Sequence, residues 1–461
     1  MHQLRDERIT RFLSATVHLD GSFANHTWVT LLFPGRQAQA PEQEIDPVAV
    51  ARHAILSLSR RTRRDRRLAW LLLAVVIATG FLFIAGAHND VPIGRVVLLV
   101  LLLPFAGWLV ALAIVYNHYS LVRRSAVEVF HQVYEYTRDA APPLAPDVEA
   151  RLEEVHRSNV TIFNSYMPFV GTGHTLDTWK LTLQMRTDHD VDMAITPEEV
   201  HEHLFEAIPQ ALPNVRAERR LYVDGGTATT VPGLIPDEQG PGISIRPTAI
   251  VDENLLRHYE MHPTRTARTY LAFVENSGNG DVVVTVLVRA EQQGGTLFVE
   301  GRSQVLLPVQ PGFKDVYWVS KNADQRVLPV LRSAIPATTG LWFESPLRLA
   351  RMWLGDREDE RTLKREGQRL VRGQPVNFGV GSSLRQDAML PADPGYYGAA
   401  DEVMYFRVIT QQILLSLSHL LEKHVVHTSD LEEQRQLILE QTFNVTGIAN
   451  SAPRGTANFA L

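Results

Sequence analysis

The chain of 461 residues contains no cysteine. This absence excludes disulfides, thiolate zinc sites, iron–sulfur clusters and a catalytic cysteine, because each of them needs a thiol. Lysine is scarce as well, since only five of the 45 basic residues are lysine. The simplest interpretation is a coding bias, with a functional need for guanidinium groups as the alternative. Neither scarcity assigns an activity.

Charge is missing from two stretches, residues 68–87 (LAWLLLAVVIATGFLFIAGA) and residues 96–116. At the helical rise, the first stretch spans roughly 30 Å, which is the thickness of the hydrocarbon core of a bilayer. Pro104 and Gly107 lie in the second stretch, where a bilayer helix tolerates them and can kink. The pair predicts a transmembrane hairpin, and a buried helix pair in a soluble protein is the alternative.

Arginines flank the hairpin on one side, whereas the short connection between the two stretches offers only Arg95. Because positive charge stays on the cytoplasmic side, we predict a multi-pass protein of a bacterial plasma membrane with both termini cytoplasmic. Beside a membrane helix, each arginine contributes ~1 kcal/mol of attraction to the anionic inner leaflet. A nucleic-acid patch is the alternative, and we predict no nucleic-acid partner. The predicted membrane-surface residues are Arg60, Arg61, Arg63, Arg64, Arg66, Arg67, Arg123 and Arg124.

The rest of the chain predicts an α+β cytoplasmic domain with an antiparallel sheet and packed helices, attached to the transmembrane hairpin. Alternating patterns predict strands at 159–164 and 179–185 and a meander at 270–274, 282–289 and 296–300, with 306–307 and 316–319 extending the same sheet. A capping box at Thr196 opens a helix that reaches Ile208. Further helices are predicted at 401–424 and 429–443.

These patterns give six segments. They are an N-terminal cytoplasmic segment (1–45, a helix at 4–13 followed by mixed strand and loop), a basic juxtamembrane helix (46–67), the hairpin (68–116), a juxtamembrane helix and linker (117–146), the α+β domain (147–443) and a flexible tail (444–461). The first membrane helix is expected to begin at the N-cap Asp46 and Pro47 and to continue unbroken into the bilayer.

The spacing of an EF-hand calcium loop is matched by four acidic residues, Asp188, Asp190, Asp192 and Glu199. Such a loop has glycine at its sixth position, where this chain has Met193, and Glu199 also completes the capping box with Thr196. A polar turn between a strand and a helix is the alternative. His201 and His203 lie on different faces of a helix and do not make a metal pair. We predict neither a metal site nor a cofactor.

Two glycine turns, the first at 171–173 and the second at 379–383, and several aromatic residues are candidates for binding. The turn at 379–383 has backbone N–H groups suited to an anion, with Arg385 nearby, and a structural turn is the alternative. Tyr166, Phe169, Trp179, Tyr396 and Tyr397 are aromatics near turns, which either bind a partner or cap the core. The predicted binding residues are Tyr166, Phe169, Gly171, Gly173, Trp179, Ser382, Ser383 and Arg385.

Several of these segments resemble predicted membrane proteins of actinomycete bacteria. The similarity lies in residues 164–173 (NSYMPFVGTG) followed by Trp179, in the turn 381–385 (GSSLR), in the Thr-Ser-Asp cap at 428–430, in the tail rich in Asn and Gly, and in the basic helix leading into two spans. The resemblance implies an architecture and no activity, so no catalytic residue is carried over.

The sequence therefore predicts a membrane-anchored interaction or scaffold protein that is not an enzyme. Its expected partners are the bilayer and either another protein or a second copy of the chain. One alternative is a membrane-acting effector whose hairpin oligomerises and perturbs the bilayer. The other is an enzyme whose site is assembled from distant residues.

Overall fold

The computed structural model describes residues 7–32, 37–88, 93–131, 137–164, 166–184, 195–235, 246–277, 280–293, 295–321, 327–372, 374–391 and 396–423. The chain forms two compact units. The helical unit comprises Met1–Gly35, Ile45–Glu153 and Pro311–Val376, and the sheet unit comprises Arg36–Glu44, Glu154–Gln310 and Asn377–Leu461. The sequence had placed 311–376 in the α+β domain and 36–44 in the N-terminal segment. The predicted helix 429–443 and the tail 444–461 lie outside the described residues.

The helical unit begins with short helices. They are α1 (Glu7–Leu19) and α2 (Gly21–Thr27), followed by a π-helical turn (Trp28–Leu32). The expected mixture of strand and loop after the first helix is wrong for these residues. Their apolar side chains, such as Phe23 and Leu31, are buried in helices, a packing that the short apolar run Trp28–Leu32 did not reveal by its periodicity.

Two long helices, α3 (Pro47–His88) and α4 (Ile93–His131), form the centre of this unit. Asp46 caps α3, since the N–H groups of Val48 and Ala49 donate to its Oδ1 at 3.0 and 3.2 Å. α4 runs through Pro104 without a break. Both helices carry an apolar stretch long enough to span a membrane, and only 11% of each stretch is buried. A core helix of a soluble protein would be mostly buried, so the exposure is typical of helices that face lipid.

Four further helices belong wholly or largely to this unit. In chain order they are α5 (Pro146–His156), α8 (Asp315–Lys321), α9 (Val327–Phe343) and α10 (Ser345–Val371). The predicted strand at 316–319 is therefore wrong. Its Val-Tyr-Trp-Val composition favours a strand locally, but Val316 is buried in α8 against Phe12, Ala15 and Ala126. The sequence patterns did not single out α9 and α10.

The sheet unit is built on six strands: β1 (Val160–Phe163), β2 (His174–Gln184), β3 (Arg216–Asp224), β4 (Ala267–Ser277), β5 (Val282–Gln293) and β6 (Thr296–Leu306). Their order across the sheet is β1-β3-β4-β5-β6-β2. Every neighbouring pair is antiparallel except β1 and β3, which are parallel. The predicted α+β fold is thus present, with one parallel pair at the sheet edge.

Helices α6 (Pro197–Ala211), α7 (Glu253–Met261), α11 (Leu384–Asp387) and α12 (Tyr396–Lys423) complete the sheet unit. α6 and α12 pack against each other and against β5. Leu204 and Ile208 of α6 and Ile413 and Leu417 of α12 are buried in the same core as Val286 of β5. The predicted capping box opens α6, where Thr196 and Glu199 each bind the other's backbone N–H at 3.2 Å.

Candidate functional site

A carboxylate of the chain itself occupies the second glycine turn. Ser383 caps α11, and the side chain of Glu42 accepts three hydrogen bonds there. They come from Ser383 Oγ at 3.0 Å, from the N–H of Leu384 at 2.7 Å and from the N–H of Arg385 at 3.0 Å. The donors are Ser383 and the first two residues of α11, directly after the predicted turn 379–383, and the group that accepts from them is the carboxyl group of Glu42.

Burial controls the charges around this turn. It raises the pKa of Glu42 to about 7, although the three donors act in the opposite direction. Arg385 is fully buried, and its Nη2 donates to the carbonyl oxygens of Leu307 at 2.8 Å and of Gly280 and Asp281 at 3.3 Å. Burial lowers the pKa of Arg385 to about 10, so the guanidinium stays charged at neutral pH. It ties the turn to the end of β6.

The raised pKa of Glu42 predicts a pH-dependent stability. The folded state holds a proton that the unfolded state releases above its ordinary pKa of 4.5. The contribution of Glu42 is thus fully present below pH 4.5, declines as the pH rises and is lost above pH 7. Over that window, about 3 kcal/mol is lost. Glu42→Gln has no such proton, so the wild-type free energy of unfolding should fall relative to that of the variant between pH 4.5 and 7.

Hydrogen exchange of the β4 and β5 amides in the full-length protein measures this difference. A wild-type stability that rises relative to Glu42→Gln over the same window would contradict the prediction. It would mean that the three donors outweigh the burial of the carboxyl group.

The first glycine turn lies against the same segment, residues 37–44, which we call the Glu42 segment. The N–H of Gly171 donates to Gln386 Oε1 of α11 at 2.8 Å. A Cβ at Gly171 would lie 2.6 Å from the carbonyl oxygen of Pro41, and its φ of +88° is one that glycine adopts without strain. Both predicted turns and the Glu42 segment therefore form one packed site in the sheet unit.

Phe169 is a packing residue of this site. Its ring is 4.9 Å from that of Tyr222 and 5.5 Å from that of Tyr270, centroid to centroid, and both contacts are edge-to-face. The guanidinium of Arg302 lies 4.9 Å from the centroid of the Phe169 ring. Two residues earlier the chain turns outward, because Tyr166 is 96% exposed and Met167 is 72% exposed. The packed ring of Phe169 thus forms a rigid base, and the exposed side chains of Tyr166 and Met167 form what we call the tip.

Trp179 does not belong to the exposed tip. It is 4% exposed, so its proposed role as an exposed aromatic is wrong and the alternative of a core-capping residue holds. It faces Gly301 across the β2–β6 pair, and a Cβ there would lie 2.1 Å from the indole. Tyr396 and Tyr397 begin α12, and their side chains lie outside the described residues.

Ser382 and Gly173 complete the predicted set. Ser382 is half-buried directly before the cap Ser383. Gly173 has a φ of +91°, and a Cβ there would lie 1.9 Å from the carbonyl oxygen of Val305. Of the eight predicted binding residues, Tyr166 presents its side chain to solvent, while the others shape or support the site.

The juxtamembrane arginines divide into two groups. Arg60 donates to Ser125 Oγ, Arg61 to the carbonyl oxygen of His18 and Arg123 to the carbonyl oxygen of Val319, so these three join different helices of the helical unit. Arg64 donates to its neighbour Asp65. Arg64 is only 8% exposed. The four with exposed side chains are Arg63, Arg66, Arg67 and Arg124.

Asp188, Asp190 and Asp192 of the calcium hypothesis lie outside the described residues, whereas Glu199 serves the capping box. Among the described residues, no group of three metal-ligating side chains comes together. His201 Nε2 accepts from the N–H of Ala290 at 2.8 Å, and burial lowers the pKa of this imidazole to about 3. His203 Nε2 instead lies 3.1 Å from the carbonyl oxygen of Ser416.

Sequence reasoning missed Glu42 and Gln386. Glu42 stands in a polar stretch (AQAPEQEID) with no periodic pattern, and its partners lie more than 340 residues away. In the sequence, only the backbone N–H groups of the second glycine turn pointed to an anion, and they did not indicate which acidic group would accept from them.

The AbeC-like domain model matches residues 178–457, which is more than half of the chain. The chain belongs to the AbeC-like domain family. The AbeC-like domain starts within β2 and includes the strands β3 to β6, α9, α10 and the 383–385 turn. The Glu42 segment, the exposed tip at Tyr166 and both long apolar helices precede it. No curated protein and no solved structure matches the chain.

Proposed function

We propose that this AbeC-like domain protein is a membrane-anchored interaction protein of the bacterial plasma membrane. In this proposal α3 and α4 cross the bilayer, and both termini are cytoplasmic. The low burial of the two apolar stretches supports the spans, and the arginines on their shared flank support the orientation. The exposed Arg63, Arg66, Arg67 and Arg124 contact anionic headgroups.

The observation that carries the interaction role is the tip formed by Tyr166 and Met167. Two large apolar side chains stand in solvent on a turn whose base is locked by Phe169 and by the Gly171–Gln386 hydrogen bond. An aromatic anchor on a rigid base binds at a low cost in conformational entropy and is typical of interface hot spots. The partner that fits is a protein with an apolar pocket.

The packing around Gly107 in the second span favours this role over a membrane-acting effector. The effector hypothesis rests on the helical stalk, on Pro104 and on Gly107, whose lack of a side chain would allow close contact between copies of the hairpin. A Cβ at Gly107 would lie 2.7 Å from Val75 and 3.0 Å from Trp342 of the same chain. The close packing that Gly107 permits is therefore made with Val75 and Trp342 of the helical unit itself.

A double variant, Tyr166→Ala with Met167→Ala, tests the proposal. We expect a partner that co-purifies with the full-length protein from detergent-solubilised membranes to be lost about tenfold or more, since a hot-spot truncation costs more than about 1.4 kcal/mol. Quantitative mass spectrometry of the purified complexes measures the loss. Both side chains are exposed, so the fold is left intact.

Ile250→Ala is the matched control, because Ile250 is an exposed apolar residue of the sheet unit outside the tip. It should leave recovery unchanged. If every co-purifying protein is recovered equally with the double variant, or is lost equally with Ile250→Ala, the tip is not the interaction surface.

A further inference from the structure

α9 is an apolar helix with one packed face and one open face. Ala334 and Trp342 are buried against Leu68, Ala111 and Val115 of the two long helices. On the other face, large apolar side chains are exposed, among them Leu328, Ile335 and Phe343. Soluble proteins rarely leave such a continuous apolar face in water, so something covers it.

The contacts of α9 follow the long helices away from the arginine flank. Its first turns lie at a cleft shared by Arg123, Arg124 and Val327. Further along, Trp108 Nε1 donates to Thr339 Oγ1 at 3.1 Å. At the end of α9, Trp342 packs against Gly107 and Val75. Val75 is eight residues beyond Arg67, which places the end of α9 roughly 12 Å past the flank.

α10 returns along α3 toward the same flank. Arg348 Nε donates to Asp65 Oδ2 at 3.0 Å, and Thr62 lies 3.8 Å from the sulfur of Met352. Apolar side chains of α10 remain exposed as far as Leu354, and the charged sequence DREDER follows from residue 356. At that change, the guanidinium of Arg357 covers the ring of Trp353 at 3.5 Å, a pairing suited to the headgroup region.

We propose that α9 and residues 345–354 form a re-entrant hairpin, inserted into the leaflet beside Arg66 and Arg67 and covered by lipid acyl chains. This inference rests on the proposed function, in which α3 and α4 span the bilayer. The open face of the hairpin continues the exposed apolar surface of the two spans. Arg348 and the exposed Arg351 lie on the returning arm, level with the arginine flank, and the charged sequence from residue 356 marks where lipid contact ends. A cleft of about 520 Å³ among α3, α4 and the end of α9, and one of about 510 Å³ between α3 and the start of α10, have almost entirely apolar linings that suit acyl chains.

One charge lies between Arg332 and Arg348, the carboxylate of Glu344 at the tip of the hairpin. Arg348 Nη1 donates to it at 3.2 Å while the same guanidinium binds Asp65. The pairing links the tip charge to the arginine flank, as ionisable groups within a membrane require. Arg332 is exposed near the start of α9, where its long side chain reaches the headgroups.

The absence of cysteine makes the test direct, because each introduced cysteine is the only one. Spin labels are placed in the full-length protein, in vesicles of phosphatidylcholine and phosphatidylglycerol, at Ile335→Cys, Phe343→Cys and Leu347→Cys. Phe81→Cys on α3 is the reference for a span, and Arg361→Cys on α10 is the reference for water. All five side chains are exposed, so a label displaces no packed atom. Electron paramagnetic resonance then measures collisions with oxygen and with a water-soluble nickel chelate.

The expected result is a ratio of oxygen to chelate collisions at the three hairpin positions that is severalfold above Arg361→Cys and below Phe81→Cys, because Phe81 lies deeper in the bilayer than the hairpin. High chelate access at the hairpin would place it in water and overturn the inference while leaving the spans intact. Low access to both reagents would mean that protein covers the face, which also overturns it. If Phe81→Cys itself behaves like Arg361→Cys, the spanning proposal fails and the hairpin inference fails with it.

Discussion

Glu42→Ala is expected to lower the free energy of unfolding of the sheet unit by about 3 kcal/mol at pH 6, since buried donors left without acceptors each cost about 1–3 kcal/mol. The variant leaves Ser383 Oγ and the N–H groups of Leu384 and Arg385 without their acceptor. It also removes the side chain that holds the Glu42 segment between the two turns. Hydrogen exchange of the β4 and β5 amides in the full-length protein measures the loss.

Glu291→Ala is the matched control. The Glu291 carboxylate likewise accepts from a side chain of the sheet unit, the guanidinium of Arg289 at 2.8 Å, but Glu291 is 43% exposed. An exposed ion pair contributes at most about 1 kcal/mol, so this variant should be nearly neutral. Equal losses for the two variants would show that the Glu42 carboxylate is not a structural acceptor.

Gly173→Ala is expected to cost the sheet unit about 4 kcal/mol. The φ of +91° is disfavoured for a side-chain-bearing residue by about 1–2 kcal/mol. The added Cβ would also lie 1.9 Å from the carbonyl oxygen of Val305, which is backbone and can yield only if β2 and β6 separate locally. Such overpacking costs a further 1–3 kcal/mol or so. Thermal unfolding of the full-length variant measures the combined effect.

Gly295→Ala separates the two contributions. Gly295 has a φ of +78°, but nothing lies within 4 Å of its would-be Cβ. Only the strain of about 1–2 kcal/mol should remain at this position. If Gly173→Ala is no more destabilising than Gly295→Ala, the close approach of β2 to Val305 does not constrain the turn.

The Glu42 segment has a practical consequence for work on the sheet unit. A soluble fragment that starts at residue 147 omits Glu42 and leaves the donors at 383–385 unmatched. It also carries α9 and the start of α10 with their apolar faces open. For both reasons, every experiment above uses the full-length protein.

Local patterns were sufficient for parts of the fold. The capping box at Thr196 and Glu199 predicted the start of α6, because both partners lie within one turn. Alternation of apolar residues predicted β2 and the β4–β6 meander. Composition alone was misleading at Val316–Val319 in the Asp315–Lys321 helix, where Val316 is buried against α1 and α4 while Tyr317 and Trp318 are exposed.

The candidate site was predictable only in outline. Glycine at 171 and 173 indicated one turn, and the glycine turn at 379–383 indicated backbone donors. Trp179 could not be assigned from its spacing, since its burial depends on Gly301 across the β2–β6 pair, more than 120 residues along the chain. The partner of the donors at 383–385 could not be predicted either, because it depends on the position of the Glu42 segment beside α11.

The sequence by itself determined the two apolar helices, their arginine flank and the exclusion of thiol chemistry, because each depends only on which residues are adjacent or absent. The tertiary structure decided that the carboxyl group of Glu42 accepts from the donors at 383–385, that Trp179 is buried, and that α9 and α10 pack along the long helices. These features are contacts between residues far apart in the chain. No periodicity encodes such contacts, since a hydrogen bond or a packed ring is specified by position in space rather than by spacing in sequence.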